Sequence, residues 1–285
     1  MATPHFPDLD LPSFAATRDA LQAYARVLGD WTKSCRPKRK HWWHASLHPS
    51  LFGLTTGVIH AGIDFELEMD LRECLLLGRT SSGEQLQEAL RGQPATALAE
   101  IIHEFLSESG IDGSLSPEVG RHDTNEFPGY SVEHADRLAG ALNSVAASME
   151  SFRAGIREET SPIQLWPHHF DVSMLWLPGE KIPGPDPQDE EYSDKQMNFG
   201  FTFGDDGIPE PYFYVAAYPL PDAFPGLQLP AGTAWHTQGF SGAVLRYSSL
   251  IKNSDPDGYL LDLWGGLLSA GREHMLEDTI QGHAS

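Results

Sequence analysis

Across 285 residues, 40 Asp and Glu stand against 19 Lys and Arg, a formal net charge of -21. Charge of that sign repels phosphate backbones and anionic lipid surfaces, so nucleic acid and membrane are poor partners, and no stretch reaches the roughly 18–20 apolar residues of a spanning helix. Cys35 and Cys74 are the only cysteines and have no CxxC spacing, which excludes a disulfide scaffold and a thiolate zinc site.

Met1 to Pro12 carries acids and prolines in place of a cationic segment followed by an apolar one, so a cytoplasmic location is expected. Ser13 is placed to cap a helix to about Cys35 with Leu21, Tyr24, Leu28 and Trp31 on one face, stopped by Pro37. The basic run Arg36-Pro37-Lys38-Arg39-Lys40 then falls where cations complement the carboxyl end of the helix dipole, with an anion site as the alternative. From Trp42 to Gly78 the period changes to two. Strands are expected at Trp42 to Leu47, Leu54 to His60 and Cys74 to Gly78. In Ile63 to Leu71, apolar residues alternate with Asp64, Glu66, Glu68 and Asp70, the pattern of a sheet with one solvated face. Pro94 opens a helix to about Ser109.

Residues 110–129 are rich in Gly, Ser and Pro and read as a connection. A helix from Ser131 to Ile156 follows, its stripe of Leu138, Leu142, Val145, Met149, Phe152 and Ile156 buried on one side. Strands are expected at Ile163 to Trp166, Phe170 to Leu177, Met197 to Phe203, Tyr212 to Tyr218 and Ala243 to Tyr247, and a last helix from Asp255-Pro256 to about Gly271. Pro178 to Lys195 and Pro219 to Thr233 lack periodicity and read as mobile loops or lids.

The two halves share a pattern. Leu47-His48-Pro49-Ser50-Leu51-Phe52-Gly53-Leu54-Thr55 returns as Leu165-Trp166-Pro167-His168-His169-Phe170-Asp171-Val172-Ser173, an offset of 118 that also pairs Tyr24 with Leu142, Val27 with Val145 and Trp31 with Met149. The expected fold is α+β: an internally duplicated unit of helix, about four antiparallel strands and helix, with pseudo-twofold symmetry. Its boundaries are a first repeat at 11–110, a linker at 111–130, a second repeat at 131–271 and a flexible tail at 272–285.

His41-Trp42-Trp43 leading to Gly53-Leu54-Thr55-Thr56, Ser161-Pro162 leading to Phe170-Asp171, Tyr214 with Ala217-Tyr218-Pro219, Trp31-Thr32 and Asp255-Pro256-Asp257 together resemble an uncharacterised bacterial group, the domain of unknown function family 5996. The likeness spans roughly Leu11 to Gly271 and implies a shared fold. It brings no activity, cofactor or catalytic residue. Where members tend to place aromatic and small residues, this chain has Pro167-His168-His169, so chemistry at these histidines would be its own.

The repeat, if it brings matching segments together, gathers Trp43, His44, Gln164, His168, His169 and Asp171 near one concavity. His44, His169 and Asp171 are the candidates for acid-base catalysis, with Asp171 as anchor, and Trp43, Gln164 and His168 for substrate binding. The leading reading is a small organic molecule bound, or converted, in an aromatic-lined cleft between the repeats. The alternatives are a metal-dependent enzyme using the His/Asp cluster, which with His41 and His48 offers nitrogen and oxygen ligands, and a non-enzymatic interaction module. No ligand spacing such as HExxH assigns a metal, no nucleophile elbow or phosphate loop is present, and cofactor and oligomeric state are not specified.

Overall fold

The computed structural model describes residues 6–9 and 11–276. In chain order the elements are α1 (Leu11–Cys35), a 3-10 segment (Lys40–Ala45), β1 (His48–Pro49), β2 (Gly53–Thr55), β3 (Ile59–Ala61), β4 (Ile63–Asp70), β5 (Leu75–Thr80), β6 (Gln85–Ala89) and α2 (Ala95–Glu108). Two further 3-10 turns, Gly113–Leu115 and Val119–Arg121, lie in the connection. There follow α3 (Val132–Ala154), β7 (Glu159–Thr160), β8 (Gln164–Trp166), β9 (Asp171–Leu177), α4 (Glu190–Ser193), β10 (Gln196–Thr202), β11 (Tyr212–Tyr218), a 3-10 turn (Phe224–Gly226), β12 (Thr233–His236), β13 (Gly242–Arg246), α5 (Tyr247–Leu250) and α6 (Pro256–Leu276). Helices and two antiparallel sheets make this an α+β fold.

The chain forms two compact units. One comprises residues 7–144 and 164–171. Its sheet runs β1-β2-β4-β5-β6, with β3 also on β4. Strand β4 forms as its alternation dictates: Phe65, Leu67 and Met69 are buried, while Asp64, Glu66 and Glu68 sit on the wetter face. Asp70 departs from a wholly solvated row. It is buried, and its Oδ1 accepts the amide hydrogens of Arg72 and Glu73 at 3.0 and 2.9 Å, capping the turn into β5. The inner faces of α1 and α2 close this core, Trp31 meeting Phe65 edge-on at 5.9 Å and the Phe105 ring lying against Gly78.

The other unit holds residues 145–163 and 172–276 together with Phe6. Its sheet runs in the order β12-β13-β11-β10-β9-β7. Phe199, Phe201 and Phe203 share a buried face, and α6 packs Trp264 against Phe152 at 5.4 Å and Phe213 at 6.1 Å. On the opposite face Tyr214 lies over Gly200, so the small residue seen in β10 makes room for a tyrosine of the neighbouring strand.

Several expectations change: α1 begins at Leu11, so Ser13 lies inside it and is not its cap, and Leu54 to His60 divides into β2 and β3. Trp42 to Leu47 is no strand: His41 and Trp42 adopt left-handed backbone, φ 48° and 59°, inside the 3-10 segment. The His44 ring accepts the Arg39 amide hydrogen, a local bond that competes with a strand ladder. The Pro178 to Lys195 and Pro219 to Thr233 loops contain α4, a 3-10 turn and the start of β12. Helix α6 runs to Leu276, past Gly271, because Met275 is buried and Arg272 grips both oxygens of Glu158 at 2.7 Å. The remainder of the expected tail, 277–285, lies outside the described residues.

Candidate functional site

Every residue singled out from sequence as a site candidate lies in the unit built from residues 7–144 and 164–171. Two segments meet there. Leu47 and Leu165 exchange backbone hydrogen bonds at 3.0 and 2.9 Å, an antiparallel bridge between residues 118 apart. One residue earlier in each segment, Gln164 donates from Nε2 to Ser46 Oγ at 2.5 Å and to the Trp43 carbonyl at 3.2 Å. Ser46 in turn donates its hydroxyl to the same carbonyl at 3.1 Å. The ordering is self-consistent: the serine proton points at Trp43 O, so its lone pair receives the amide N–H. What remains is an orphan pair. Gln164 Oε1 and Trp43 Nε1 are buried with no hydrogen-bond partner, on side chains of residues 1 % and 7 % exposed. Buried polar groups are seldom left so.

The left-handed backbone at His41 and Trp42 turns Trp42 outward, 46 % exposed, while Trp43 goes in. For non-glycine residues that conformation is uncommon and strained, and strain of this kind concentrates at functional positions. The Lys33 and Lys38 ammonium groups each lie 5.6 Å from the Trp42 ring centre, and His44 stacks on the same indole at 5.5 Å. Around Trp43 the Lys40 ammonium is at 5.0 Å and the Arg39 guanidinium at 5.8 Å. Arg36 is otherwise engaged, donating to the Thr56 carbonyl.

His44 is buried, and its Nδ1 accepts the Arg39 amide hydrogen at 3.2 Å, which leaves the proton of the neutral ring on Nε2. Burial, then the charges of Lys38 and Lys33, hold its pKa below the ordinary 6.5. His168 and His169 are exposed, their rings 5.2 Å apart. The His168 pKa is also low, first through desolvation, then through His169, Arg26 and Lys33, with Asp30 opposing. Lys33 therefore acts on both segments: it sits over Trp42, and its field reaches His44 and His168.

The turn that carries the two histidines is fixed from α1. Gln22 and Arg26 donate to the His168 carbonyl at 2.8 and 3.0 Å, and Pro167 lies on Gly29. Phe170 closes the turn, donating its N–H to the Trp166 carbonyl at 2.7 Å with φ 53°. Asp171, the first residue of β9, is buried.

The structure thus joins Trp43 to Gln164 and places His44 beside them in sequence and His168 beside His169 in space. Among the described residues, no group of three or more His, Cys, Asp or Glu could hold a metal ion. The thiols are poor nucleophiles as well, since burial pushes Cys35 up to about 11 and raises Cys74. Sequence reasoning missed Lys33, and it assigned Lys38 first to the end of the helix dipole. The available signal was five cations within residues 33–40 of a chain of net charge -21.

A pH dependence follows from His44. Its folded pKa lies below the unfolded value, so the unfolded chain takes up a proton first, and stability present above about pH 6.5 is lost as the pH falls. His122, lowered chiefly by burial, contributes with the same sign. His44→Gln should flatten the decline of the urea midpoint between about pH 7.5 and 5.5 without abolishing it. An unchanged slope would show that His44 takes up no extra proton on unfolding.

These features define an α+β protein of two antiparallel sheets with a cation- and aromatic-rich surface in one unit. No helix among the described residues is long and apolar enough to cross a membrane. A family model described as a family of unknown function (DUF5996) matches residues 6–274, and the chain belongs to that family. No curated protein and no solved structure matches it.

Proposed function

We propose that the chain binds a small organic molecule at exposed Trp42 and the turn bearing His168 and His169, reaching the buried Trp43, His44 and Gln164 beneath. One observation carries this reading: a buried donor, Trp43 Nε1, and a buried acceptor, Gln164 Oε1, both lack partners while their residues are joined by a hydrogen bond. A ligand offering one acceptor and one donor would satisfy both, and Trp42 supplies an exposed aromatic wall. If the ligand is also transformed, His44, His169 and Asp171 are the acid-base groups of the reading, and His44 enters as neutral imidazole with Nε2–H facing outward from its bond to Arg39.

The duplication is part of the same proposal, with repeats at 11–110 and 131–271 around the 111–130 connection. Its supports are the reciprocal bridge of Leu47 with Leu165, the contact of Ser46 with Gln164 at the same offset, and a four-strand antiparallel meander in each sheet. On this reading Leu47 is hydrogen-bonded to its own counterpart, which supports a local twofold relation between the matching segments that would build one site.

The test is a thermal-shift screen of small aromatic acids, amides and amines against the full chain, followed by tryptophan fluorescence titration. Trp42→Ala should leave the melting temperature nearly unchanged and weaken binding about three- to tenfold, the effect of losing one aromatic contact. Absence of any binder, or binding indifferent to Trp42 and Gln164 variants alike, refutes the reading. A second reading, an interaction module, draws on Tyr192 and Tyr218, which are exposed and meet edge-on at 6.1 Å. Light scattering across concentration separates self-association from ligand binding.

A further inference from the structure

We infer that this site takes an oxyanion, a small carboxylate or phosphate compound held by Lys33 and Lys38 beside the Trp42–Trp43 pair; the inference rests on the ligand-binding reading above. The ammonium groups of Lys33 and Lys38 share one indole, each 5.6 Å from its centre, so the two charges lie within roughly twice that distance of each other. Arg39 and Lys40 flank the neighbouring indole. Between residues 33 and 40 there are five cations and no acid.

Such a concentration repels itself, and in a chain of net charge -21 it is not a general property of the surface. The end of a helix dipole accounts for one or two of these cations, not for their convergence on Trp42. Among the described residues neither Lys33 nor Lys38 has an ion-pair partner, each ammonium lying instead over the Trp42 ring. Trp43 Nε1 adds a second observation: it is a buried donor in want of an acceptor, the hydrogen-bond polarity an oxyanion supplies. The orphan acceptor, Gln164 Oε1, calls for a donor on the same ligand, such as a hydroxyl, an amide N–H or a protonated phosphate oxygen. A small molecule fits these buried groups better than an acidic peptide does, because Gln164 and Trp43 are inside the fold and a polypeptide backbone meets only the lysines.

The experiment titrates the full chain with benzoate, salicylate and inorganic phosphate, and in parallel with benzamide and benzylamine, by calorimetry at low and high sodium chloride. The expected result is that the anions bind, the amine does not, and affinity falls with salt. Lys33→Gln with Lys38→Gln should weaken the anions about tenfold while leaving the melting temperature unchanged or raised, since like-charge repulsion is relieved. Benzamide binding as tightly as benzoate, without salt dependence, would overturn the oxyanion inference and leave the ligand site standing. Binding of polyglutamate but of none of the small anions would also overturn it. If the wider screen of neutral molecules is silent as well, both readings fall together.

Discussion

Trp264→Ala should destabilise the chain by about 3–5 kcal/mol, measured by urea denaturation at neutral pH. The side chain is fully buried and packs on Phe152 and Phe213, which belong to the same compact unit. Truncation removes both the transfer free energy of the indole and its contacts with rings held by β11 and α3, and a cavity of that size cannot close without moving a helix. Its Nε1 has no partner in the fold, so no hydrogen bond is lost, and the penalty is one of packing alone. Trp264→Phe should recover most of the stability. A loss well below 1 kcal/mol would mean that α6 is not seated on the sheet as described.

Gly29→Ala should cost about 1–3 kcal/mol, against the gain of roughly 0.5–1 kcal/mol that alanine ordinarily brings to a helix interior. A Cβ at position 29 would stand 2.6 Å from Cγ and 3.1 Å from Cβ of Pro167, a rigid ring in the turn that presents His168 and His169. Either α1 or the turn must shift. The sign of the measured change therefore decides whether that turn is seated on the helix, and a net stabilisation would show that it is not. The same variant should weaken any ligand that depends on Gln164, since the displaced turn follows directly on β8.

Much of this fold can be read from periodicity. The helix stripes at Leu138, Leu142, Val145 and Met149, the alternation of Ile63 to Asp70, and the strand Tyr212–Tyr218 are all where the pattern puts them, because each buries one face continuously. Strand β6 escaped notice because Gln85–Ala89 is an edge strand of polar residues with little to bury. The 42–47 segment misled for a different reason. Aromatic alternation there imitates a strand, while the conformation is set by left-handed residues and by bonds to Ser46, Gln164 and His44 that no local pattern announces. Ser46 and Gln164, which hydrogen-bond, stand at the offset of 118, while the Trp43 carbonyl that Gln164 also reaches is 121 residues away. The offset could not foreshadow Lys33 and Lys38 folding onto Trp42, since that contact depends on the direction in which the chain leaves α1.

The Leu47–Leu165 bridge bears on how the protein reaches its native state. It closes a loop of 118 residues, and for a flexible chain that closure costs about 4 kcal/mol in entropy. Two hydrogen bonds do not offset such a cost, so the bridge awaits the local strand meanders and helices that shorten the effective loop. Trp43 and Gln164 are brought together by this late contact, and the candidate site is therefore among the last features to assemble. In a refolding experiment, amide protection at Leu47 and Leu165 and recovery of ligand binding should rise together, after protection of β4 and β5.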